Sequence, residues 1–537
     1  MKNSFNFTNF SRTENDTKTL MFSRGGQYSW KVLGVRICLV NPTIPKPDWG
    51  PWPPLGLAYI AAVLQDAGHN VIIIDRESLL YRNAMDWSNV NKDTSDILQR
   101  HAPEIVGITA TTTLVYDAFF VARLSKEILP EVRVILGGTH ATALPVQTMR
   151  DCDQIDIVVR GEGEIPMIEL ASGKALREIK GIVYRAGKEI TSSEAQDSYP
   201  NVDMLPFPAR HLLDMDFYRR PTPHMIRGIL LRATSIVASR GCPYRCAFCA
   251  GPLISGHKVR FRTPERVVEE IEHLVSRYGI EGVYFADDMF LADRKKVEKI
   301  CQLMIQRNLN KRITWGIQAR VNVVDKDILN LLKRAGLVQI EYGFESGSQR
   351  ILDLMRKGTT VEQNYRAARL TRQIGIRFLA NIIVGMLTEK REDIDRSLRF
   401  LVDTKPDVIG VYKLIPIPGT EIYYALEKLG ILSNDWTIYN VSNLEQNLTD
   451  MPREEFDEVF NRVINEYVRP RNIFSSMRFF LRKISLGQVR NLIEYMRSVK
   501  VPSETEQELY KQLFLSAYRL FKFHVKLLNS NQKLGRR

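Results

Sequence analysis

The chain has 537 residues, of which 44% are apolar and 25% are charged, and this composition excludes a disordered chain and a low-complexity fibre. Its length predicts two or three globular domains, and its longest apolar run, Leu55 to Leu64, is about half of the ~20 residues that a membrane-spanning helix needs. The polar N-terminus lacks the apolar stretch of a secretory signal, so we expect a cytoplasmic protein.

The net charge of +14 is concentrated near the C-terminal end of the sequence. Residues 471–537, here called the basic tail, contain 14 Lys and Arg against 4 Asp and Glu, interleaved with aromatic residues and leucines. Three interpretations of the basic tail stay open: a helical cap on the rest of the protein, attachment to an anionic membrane surface or a lipid-like substrate, and nucleic-acid binding. Nucleic acid is disfavoured because no recognised RNA or DNA module accompanies the charge.

The first part of the chain alternates between strand-like and helix-like segments. Residues 1–30 are predicted to form a flexible extension. Five β-branched apolar runs without an alternating polar face then predict strands that are covered on both sides. These runs are 35–42, 70–75, 104–112, 132–140 and 155–164. Because helical segments lie between them, we predict a doubly wound α/β domain, Rossmann-like or flavodoxin-like, over residues 31–180.

A second α/β series follows a connecting segment. Residues 181–227 contain a predicted hairpin at 181–191 and a proline-containing linker. The strands predicted next are 234–241, 281–288, 313–320, 337–346, 376–386 and 407–417. A helical segment follows each of the first five, so residues 228–432 are predicted to form a partial (β/α)6 TIM-like barrel with its ligands at the strand C-termini. Residues 433–537 are predicted to be mostly helical.

A cluster of three cysteines follows the first strand of this predicted barrel. Cys242, Cys246 and Cys249 have C-x3-C-x2-C spacing on one short loop. Three soft thiolates in this arrangement can bind three irons of a cubic [4Fe–4S] cluster and leave the fourth iron without a protein ligand. A structural zinc site is the weaker alternative, because structural zinc normally takes four protein ligands.

The cysteine motif, with the aromatic Phe248 before its last cysteine, resembles that of the radical S-adenosylmethionine (SAM) superfamily over roughly residues 225–430. The resemblance implies that SAM chelates the open iron and is cleaved by one electron to a 5′-deoxyadenosyl radical. It also implies a set of SAM-binding positions, mostly at strand ends, in which Asp287 and Asp288 stand where most members have Gly-Gly-Glu. The positions are Phe248, Asp287, Asp288, Arg320, Glu345, Ser346, Asn381, Ile383 and Gly385.

The first domain resembles the cobalamin-binding domain that precedes the radical SAM core in one large subgroup, which includes class B-like methyltransferases and anaerobic cyclases. The segments that carry this resemblance are 53–75, 107–113, 136–142 and 158–164. The cobalamin-binding residues that it implies are Pro54, Leu55, Gly56, Thr109, Thr111, Thr112, Gly137, Gly138, His140, Gly161 and Glu162. No D-x-H-x-x-G motif is present to supply a histidine below the cobalt, and for His140 a local hydrogen bond is favoured over ligation.

Together these resemblances imply a cobalamin-dependent radical SAM enzyme that methylates an unactivated carbon. The radical would remove a hydrogen atom from the substrate, and methylcobalamin would deliver the methyl group. The implied partners are an unidentified small-molecule substrate, with lipid-like or hydrophobic molecules among the candidates, and an electron donor such as flavodoxin or ferredoxin.

Other functions stay open at this point. Cobalamin-linked radical oxidation or ring formation, as in the anaerobic cyclase, would use the same visible residues, and a non-catalytic sensor would merely hold the cluster and the cobalamin. A methylthiotransferase is disfavoured because only Cys38 and Cys152 precede the cysteine motif. For His211, His224 and His257, structural roles are favoured over acid–base roles.

Overall fold

The computed structural model describes residues 34–44, 52–196, 199–433, 435–439 and 447–468, together with residues 491 and 494 and two short N-terminal strands. These strands, β1 (Thr19–Phe22) and β2 (Tyr28–Lys31), pair in antiparallel fashion. Almost all of the basic tail lies outside the described residues, so its three interpretations stay predictions. Among the helices that are described, none has both the length and the apolar character needed to cross a membrane.

The first domain is built on a seven-stranded sheet whose order is β4-β3-β5-β6-β7-β8-β9. Its first five strands are parallel in the flavodoxin-like order, and the predicted hairpin adds two antiparallel strands at the edge. The strands are β3 (Arg36–Asn41), β4 (Asn70–Asp75), β5 (Ile105–Thr109), β6 (Arg133–Gly137), β7 (Ile157–Val159), β8 (Ile182–Ala186) and β9 (Glu189–Ser192).

Helices cover both faces of this sheet. They are α1 (Leu55–Asp66), α2 (Arg76–Arg82), α3 (Trp87–His101), α4 (Val115–Ile128), α5 (Thr139–Ala143), α6 (Pro145–Asp151) and α7 (Glu164–Ala171). One apolar layer packs Phe119 of α4 against Val134, and the other packs Leu57 of α1 and Met167 of α7 against Ile135. The side chains of neighbouring residues on one strand thus pack in the two apolar layers on opposite faces of the sheet. This explains why the strands are apolar without alternation, and the predicted fold class is confirmed.

The second domain is an open barrel of six parallel strands in sequential order, with a short hairpin flanking the cysteine loop. Its strands, in chain order, are β10 (Ala233–Ile236), the hairpin pair β11 (Ser239–Arg240) and β12 (Arg260–Phe261), β13 (Gly282–Phe285), β14 (Thr314–Ala319), β15 (Leu337–Glu345), β16 (Arg377–Val384) and β17 (Val408–Lys413). This arrangement is the predicted partial (β/α)6 barrel.

The helices of the second half of the chain begin with α8 (Met215–Tyr218) in the connecting segment. The others are α9 (Gly251–Ser255), α10 (Pro264–Tyr278), α11 (Arg294–Gln306), α12 (Lys326–Arg334), α13 (Gln349–Leu354), α14 (Val361–Ile374), α15 (Arg391–Thr404), α16 (Glu421–Lys428) and α17 (Arg453–Arg462). Outward-facing strand residues such as Ile340, Tyr342 and Phe344 belong to one large core with these helices. Residues of the other parity, such as Glu341, face the space that the strands enclose, here called the lumen.

After the barrel, the chain returns to the first domain. This return segment consists of residues 423–433 and 435–439, and its side chains Tyr423, Trp436 and Tyr439 belong to the apolar core on one face of the first sheet. The Trp436 backbone N–H also donates to the Tyr116 hydroxyl at 3.2 Å. The return segment therefore fastens the end of the barrel to the first domain.

Candidate functional site

A cavity of about 470 Å³ lies between the C-terminal strand ends of the first sheet and those of the barrel. The first domain lines it with small residues from strand ends and from the start of α1, among them Gly56, Thr109, Thr111, Gly137, Gly138 and Gly161. The barrel contributes Val237, Ser239, Arg240, Gly251, Ile254, Ser255, Ala286 and Asp288. Since both domains supply walls, a molecule in this cavity contacts the two domains at once.

Glycine makes the wall on the first domain flat. Gly138 has a φ of +94°, and a Cβ there would lie 2.5 Å from the Ala110 carbonyl oxygen, so no other residue fits. A Cβ at Gly56 would instead meet no atom within 4 Å. At Gly56 a planar macrocycle can therefore approach the backbone closely, whereas the glycine at position 138 is required by the turn itself. The threonines beside this wall suit the amide arms of cobalamin.

The cavity also has an apolar arm between the first sheet and two of its helices. Its lining includes Leu39, Ile60, Ile135, Val159 and Met167. Apolar groups buried here would be shielded from water on both sides. The flat glycine wall and this arm together fit a large planar cofactor with an apolar appendage.

Eight of the eleven predicted cobalamin-binding residues line the cavity; Pro54, Thr112 and His140 are not among its walls. His140 is completely buried instead. Its Nδ1 lies 3.3 Å from the Thr112 Oγ1, its ring meets the Trp436 ring edge-on at 4.9 Å, and burial lowers its pKa to about 4. The structure thus places a neutral His140 in the core beneath the return segment.

Glu162 lines the cavity, but its carboxylate is engaged in ion pairs between the domains. Glu162 accepts from Arg260 at 2.9 Å and lies 3.3 Å from Arg240, while Glu164 lies 2.8 Å from the other terminal nitrogen of Arg240. Both carboxylates are almost fully buried. These four residues, here called the interdomain clamp, join the turn between β7 and α7 to the β11–β12 hairpin.

The three cysteines lie together on the loop between β11 and β12. Burial, together with the neighbouring Cys246, Asp288 and Cys242, raises the pKa of the Cys249 thiol to about 11. The Cys249 sulfur accepts from the Gly251 N–H at 3.4 Å. Such crowded thiols ionise when a cation binds them, as iron does. The donor set therefore fits the cluster that the sequence predicts.

The described residues contain no group of three His, Cys, Asp or Glu side chains close enough to hold one metal ion. In a cubic cluster each thiolate binds a different iron, so the three sulfurs need not converge on one point.

Arg320 lies beside the cysteine loop in a fixed orientation. Its Nη1 lies 3.4 Å from the Cys246 sulfur, its guanidinium lies over the Tyr244 ring at 3.6 Å, and its other terminal nitrogen donates to the Lys357 carbonyl. The predicted role of Arg320 is to pair with the SAM carboxylate. In the structure it places a positive charge against a predicted cluster ligand.

Lys357 is a residue of the site that the sequence did not indicate. Its ammonium pairs with Glu345 at 2.7 Å and lies 5.8 Å from the centre of the Phe248 ring. Glu345 itself has a φ of +62°, a strained conformation for a non-glycine residue, at the irregularity between β15 and β16. Lys357 lies in the turn after α13 and belongs to no recognisable motif. Its position near the cysteine loop therefore depends on the tertiary fold and could not be predicted from the sequence.

The two adjacent acids at the end of β13 have different surroundings. Asp287 is buried and accepts from the Ala238 N–H at 3.0 Å and the Ser239 hydroxyl at 2.6 Å, and burial raises its pKa to about 7. It therefore fastens the end of β10. Asp288 faces the cavity beside Gly251, and burial raises its pKa too. Of the two, Asp288 is placed to contact a cofactor.

The remaining predicted SAM positions lie on β15, on β16 and just beyond them. The Ser346 hydroxyl is buried against the Ser397 hydroxyl at 3.2 Å and accepts from the Ser348 N–H. Ile383 packs with Phe248 in a small apolar cluster. Asn381 faces the lumen with a buried Oδ1 that has no hydrogen-bond partner in the described structure.

None of the three candidate acid–base histidines lines the cavity. His257 is exposed, with its Nδ1 3.2 Å from the Cys242 carbonyl oxygen. His211 is exposed, and the backbone N–H of His224 donates to the Thr222 hydroxyl at 3.3 Å. Structural roles for these histidines stay predictions.

The turn after β16 gives the protein a testable pH dependence. The Glu389 carboxylate accepts from the Gly385 and Met386 N–H groups, and burial raises its pKa to about 7. A carboxyl with a raised pKa favours the folded state at low pH, and that stability is lost as the pH rises through 7. Between about pH 5 and pH 8, Glu389→Gln should gain roughly 2–3 kcal/mol of unfolding free energy relative to wild type.

Urea unfolding of the apoprotein at several pH values measures this difference. Glu392→Gln, which changes an exposed acid on the following helix, is the matched control and should keep the wild-type slope. A constant offset between Glu389→Gln and the wild type across this range would contradict the prediction.

Comparisons with known proteins agree with this geometry. The family model of the radical SAM superfamily matches residues 236–401, and that of the B12 binding domain matches residues 49–171. The chain is 33% identical over 450 residues to an uncharacterised methyltransferase of Pyrococcus horikoshii, covering 82% of this chain and 94% of that protein. It is 32% identical over 386 residues to the anaerobic magnesium-protoporphyrin IX monomethyl ester cyclase of Cereibacter sphaeroides, covering 70% of this chain and 61% of the cyclase.

The fold is also that of a solved structure, the radical SAM methyltransferase TsrM from Kitasatospora setae with cobalamin and a [4Fe–4S] cluster bound. The two chains share 21% identity and a TM-score of 0.61, over 74% of this chain and 79% of the other. The family models and the 33% identical relative confirm the resemblance that the sequence motifs carry. The chain therefore belongs to the cobalamin-dependent radical SAM enzymes, whose cofactors are a [4Fe–4S] cluster, SAM and cobalamin.

Proposed function

We propose that this enzyme methylates an unactivated carbon of a small molecule. The observation that carries the proposal is the shared cavity, in which the glycine wall of the first domain faces Asp288 and Gly251, the neighbours of Cys249. When bound, the cluster and SAM supply a carbon-centred radical, and cobalamin supplies a methyl group. Both supplies meet in one cavity, as radical methylation requires.

The residues of the chain have separate tasks in this proposal. Cys242, Cys246 and Cys249 hold the cluster, and Arg320 offsets negative charge at Cys246. The Lys357–Glu345 pair supports the mouth of the barrel beside Phe248, and Asp288 is placed for the SAM amino group. The interdomain clamp keeps the two cofactor sites at a fixed separation.

The electron source and the location of the enzyme extend the proposal. We propose a protein donor such as flavodoxin or ferredoxin and a cytoplasmic location. For the basic tail, its charge supports peripheral contact with an anionic membrane surface, and a helical cap on the barrel is the alternative.

Anaerobic enzyme with a full cluster and cobalamin tests the proposal. With dithionite and SAM carrying a CD3 group, it should form 5′-deoxyadenosine and, in the presence of a cell extract, a product heavier by the labelled methyl group. The 32% identical cyclase favours ring formation as the second candidate. Deoxyadenosine with an oxidised, unlabelled product would support that candidate, and no deoxyadenosine would contradict both.

His140 is buried away from the cavity, and no histidine is among the described residues that line the cavity, so we predict that the cobalt has no histidine ligand from below. In enzyme labelled with 15N histidine, the EPR spectrum of the cobalt(II) form should show no splitting from 15N, because the His140 Nε2 is buried against the return segment. His140→Ala should leave that spectrum unchanged. A 15N doublet that disappears in His140→Ala would contradict the prediction.

A further inference from the structure

We infer that the lumen of the barrel is a binding site for a polar substrate that carries an anionic group together with N–H or O–H donors. The inference rests on the proposed function and names its substrate class. Polar side chains from four consecutive strands face this space, and they are Gln318 of β14, Glu341 of β15, Asn381 of β16 and Tyr412 of β17. Gln318 and Glu341 are register partners, and Asn381 is the partner of Gly410.

Two members of this polar layer lie deeper than the predicted SAM contacts on their own strands. Gln318 precedes Arg320 by two residues, and Glu341 precedes Glu345 by four. Since a strand rises about 3.3 Å per residue, these two side chains lie roughly 7–13 Å below those contacts. Asn381 and Tyr412 lie nearer the mouth, because Asn381 is itself a predicted SAM position and Tyr412 is the register partner of Ile383. The layer is therefore placed to bind a substrate whose other end reaches the reacting centre.

The lumen is open at this depth. Gln318 is exposed, and Asn381 and Tyr412 are half-buried, although helices cover the outer side of their strands. Gly410 makes room for the polar atoms, because a Cβ there would lie 2.7 Å from both the Asn381 Oδ1 and the Tyr412 hydroxyl. Their exposure therefore comes from the lumen side.

Arg227 brings a positive charge into this layer from the connecting segment. One terminal nitrogen donates to the Tyr412 hydroxyl at 2.7 Å, and its Nε lies 3.9 Å from a Glu341 oxygen. With 38% of its side chain exposed, Arg227 has N–H groups left for a carboxylate or a phosphate.

Several neighbouring polar atoms lack hydrogen bonds within the described protein. Gln339 Oε1 and Asn381 Oδ1 are buried without partners, and the Tyr284 hydroxyl lies near Gln318 and Glu341 without a hydrogen bond of normal geometry. Burial raises the pKa of Glu341 despite the opposing effect of Arg227. Leaving such groups unpaired costs about 1–3 kcal/mol each. Hydroxyl, amine or amide groups of a substrate would satisfy them, whereas a hydrocarbon would not.

The lumen is closed below this layer by apolar residues. Met225, Ile226, Ile229 and Leu231, which precede β10, form a small core with Tyr284, and the Trp52 ring of the first domain packs against Tyr284 at 5.3 Å. The polar layer therefore lies between this core and the mouth of the barrel, where it would meet the polar end of a substrate.

Isotope labelling in cells tests the inference. Native host cells producing the wild-type enzyme are grown with CD3-methionine, and their extracts are divided between water and an organic solvent. Products that are CD3-labelled only when Cys246 is intact should be found in the aqueous phase. Enzyme-dependent label confined to the organic phase would overturn the inference.

Variants connect the labelled product to the lumen. Arg227→Met and Glu341→Gln should each lower the yield of that product at least tenfold. With the purified product's precursor, Arg227→Met should raise KM more than it lowers kcat, and Arg227→Lys should restore part of the loss. Ile340→Val, on the outer face of β15, is the matched control.

The outcomes separate the two proposals. Wild-type enzyme that forms no deoxyadenosine contradicts the proposed function itself. Wild-type enzyme that forms it, with product yields unaffected by Arg227→Met and Glu341→Gln, contradicts only the assignment of the lumen.

Discussion

Replacing Cys246 with alanine should abolish both the visible absorbance of the cluster and the formation of deoxyadenosine from SAM. Two thiolates hold a cubic cluster poorly. The variant also removes the sulfur that the Arg320 guanidinium contacts. Without a bound one-electron source, we expect no deoxyadenosine formation. Iron content, the absorbance spectrum and product chromatography measure these effects.

Cys301→Ala is the matched control for this experiment. Cys301 is fully buried in the core of the barrel, away from the cysteine loop. Its replacement should cost about 1–2 kcal/mol of stability through the small cavity it leaves and should not change the iron content. Full iron loading and normal SAM cleavage by Cys246→Ala would show that the cluster is held in another way.

Replacing Arg240 with methionine should loosen the two domains from each other. The variant leaves Glu164 without its cation and weakens the pairing of Glu162, and breaking a buried ion pair from one side costs about 3–5 kcal/mol. In calorimetry of the apoprotein, the unfolding of the two domains should separate into two transitions. Transfer of the SAM methyl group to reduced cobalamin, followed by absorbance, should slow at least tenfold because it needs both domains.

Two further variants complete this test. Arg240→Lys keeps the positive charge but cannot pair with Glu162 and Glu164 through two separate nitrogens. It should recover part of the lost stability and methyl-transfer rate. Arg294→Met breaks an exposed pair with Asp325, which is worth about 0–1 kcal/mol, and should behave as wild type. A single unfolding transition with an unchanged methyl-transfer rate in Arg240→Met would remove the clamp from the mechanism.

The architecture and the cysteine loop could be predicted from the sequence because both depend on local patterns. Strands buried on two faces must be apolar over their length, as in the stretch from Ile37 to Val40 of β3. Three cysteines within eight positions stay close together in space whatever the rest of the fold. These features do not require knowledge of which distant residues meet.

The parts of the site that the sequence did not indicate depend on long-range contacts. Lys357 and Arg227 lie in connecting segments without a motif, where lysine and arginine are ordinarily solvated. Glu162 was assigned to cobalamin through its motif, while its carboxylate is engaged by arginines about 80 and 100 residues away. No spacing rule distinguishes Asp287 from Asp288, because only the direction of each side chain at the strand end does so.

The return segment has a consequence for how the cavity opens. The first domain and the barrel are joined twice, once through the connecting segment that precedes β10 and once through Trp436 and Tyr439 at the other end. Because both domains belong to one chain, every re-closure is an intramolecular event at high effective concentration, and the packing of the return segment adds a second point of attachment. After a large cofactor or a product has passed, the halves therefore need no diffusional search to find each other again.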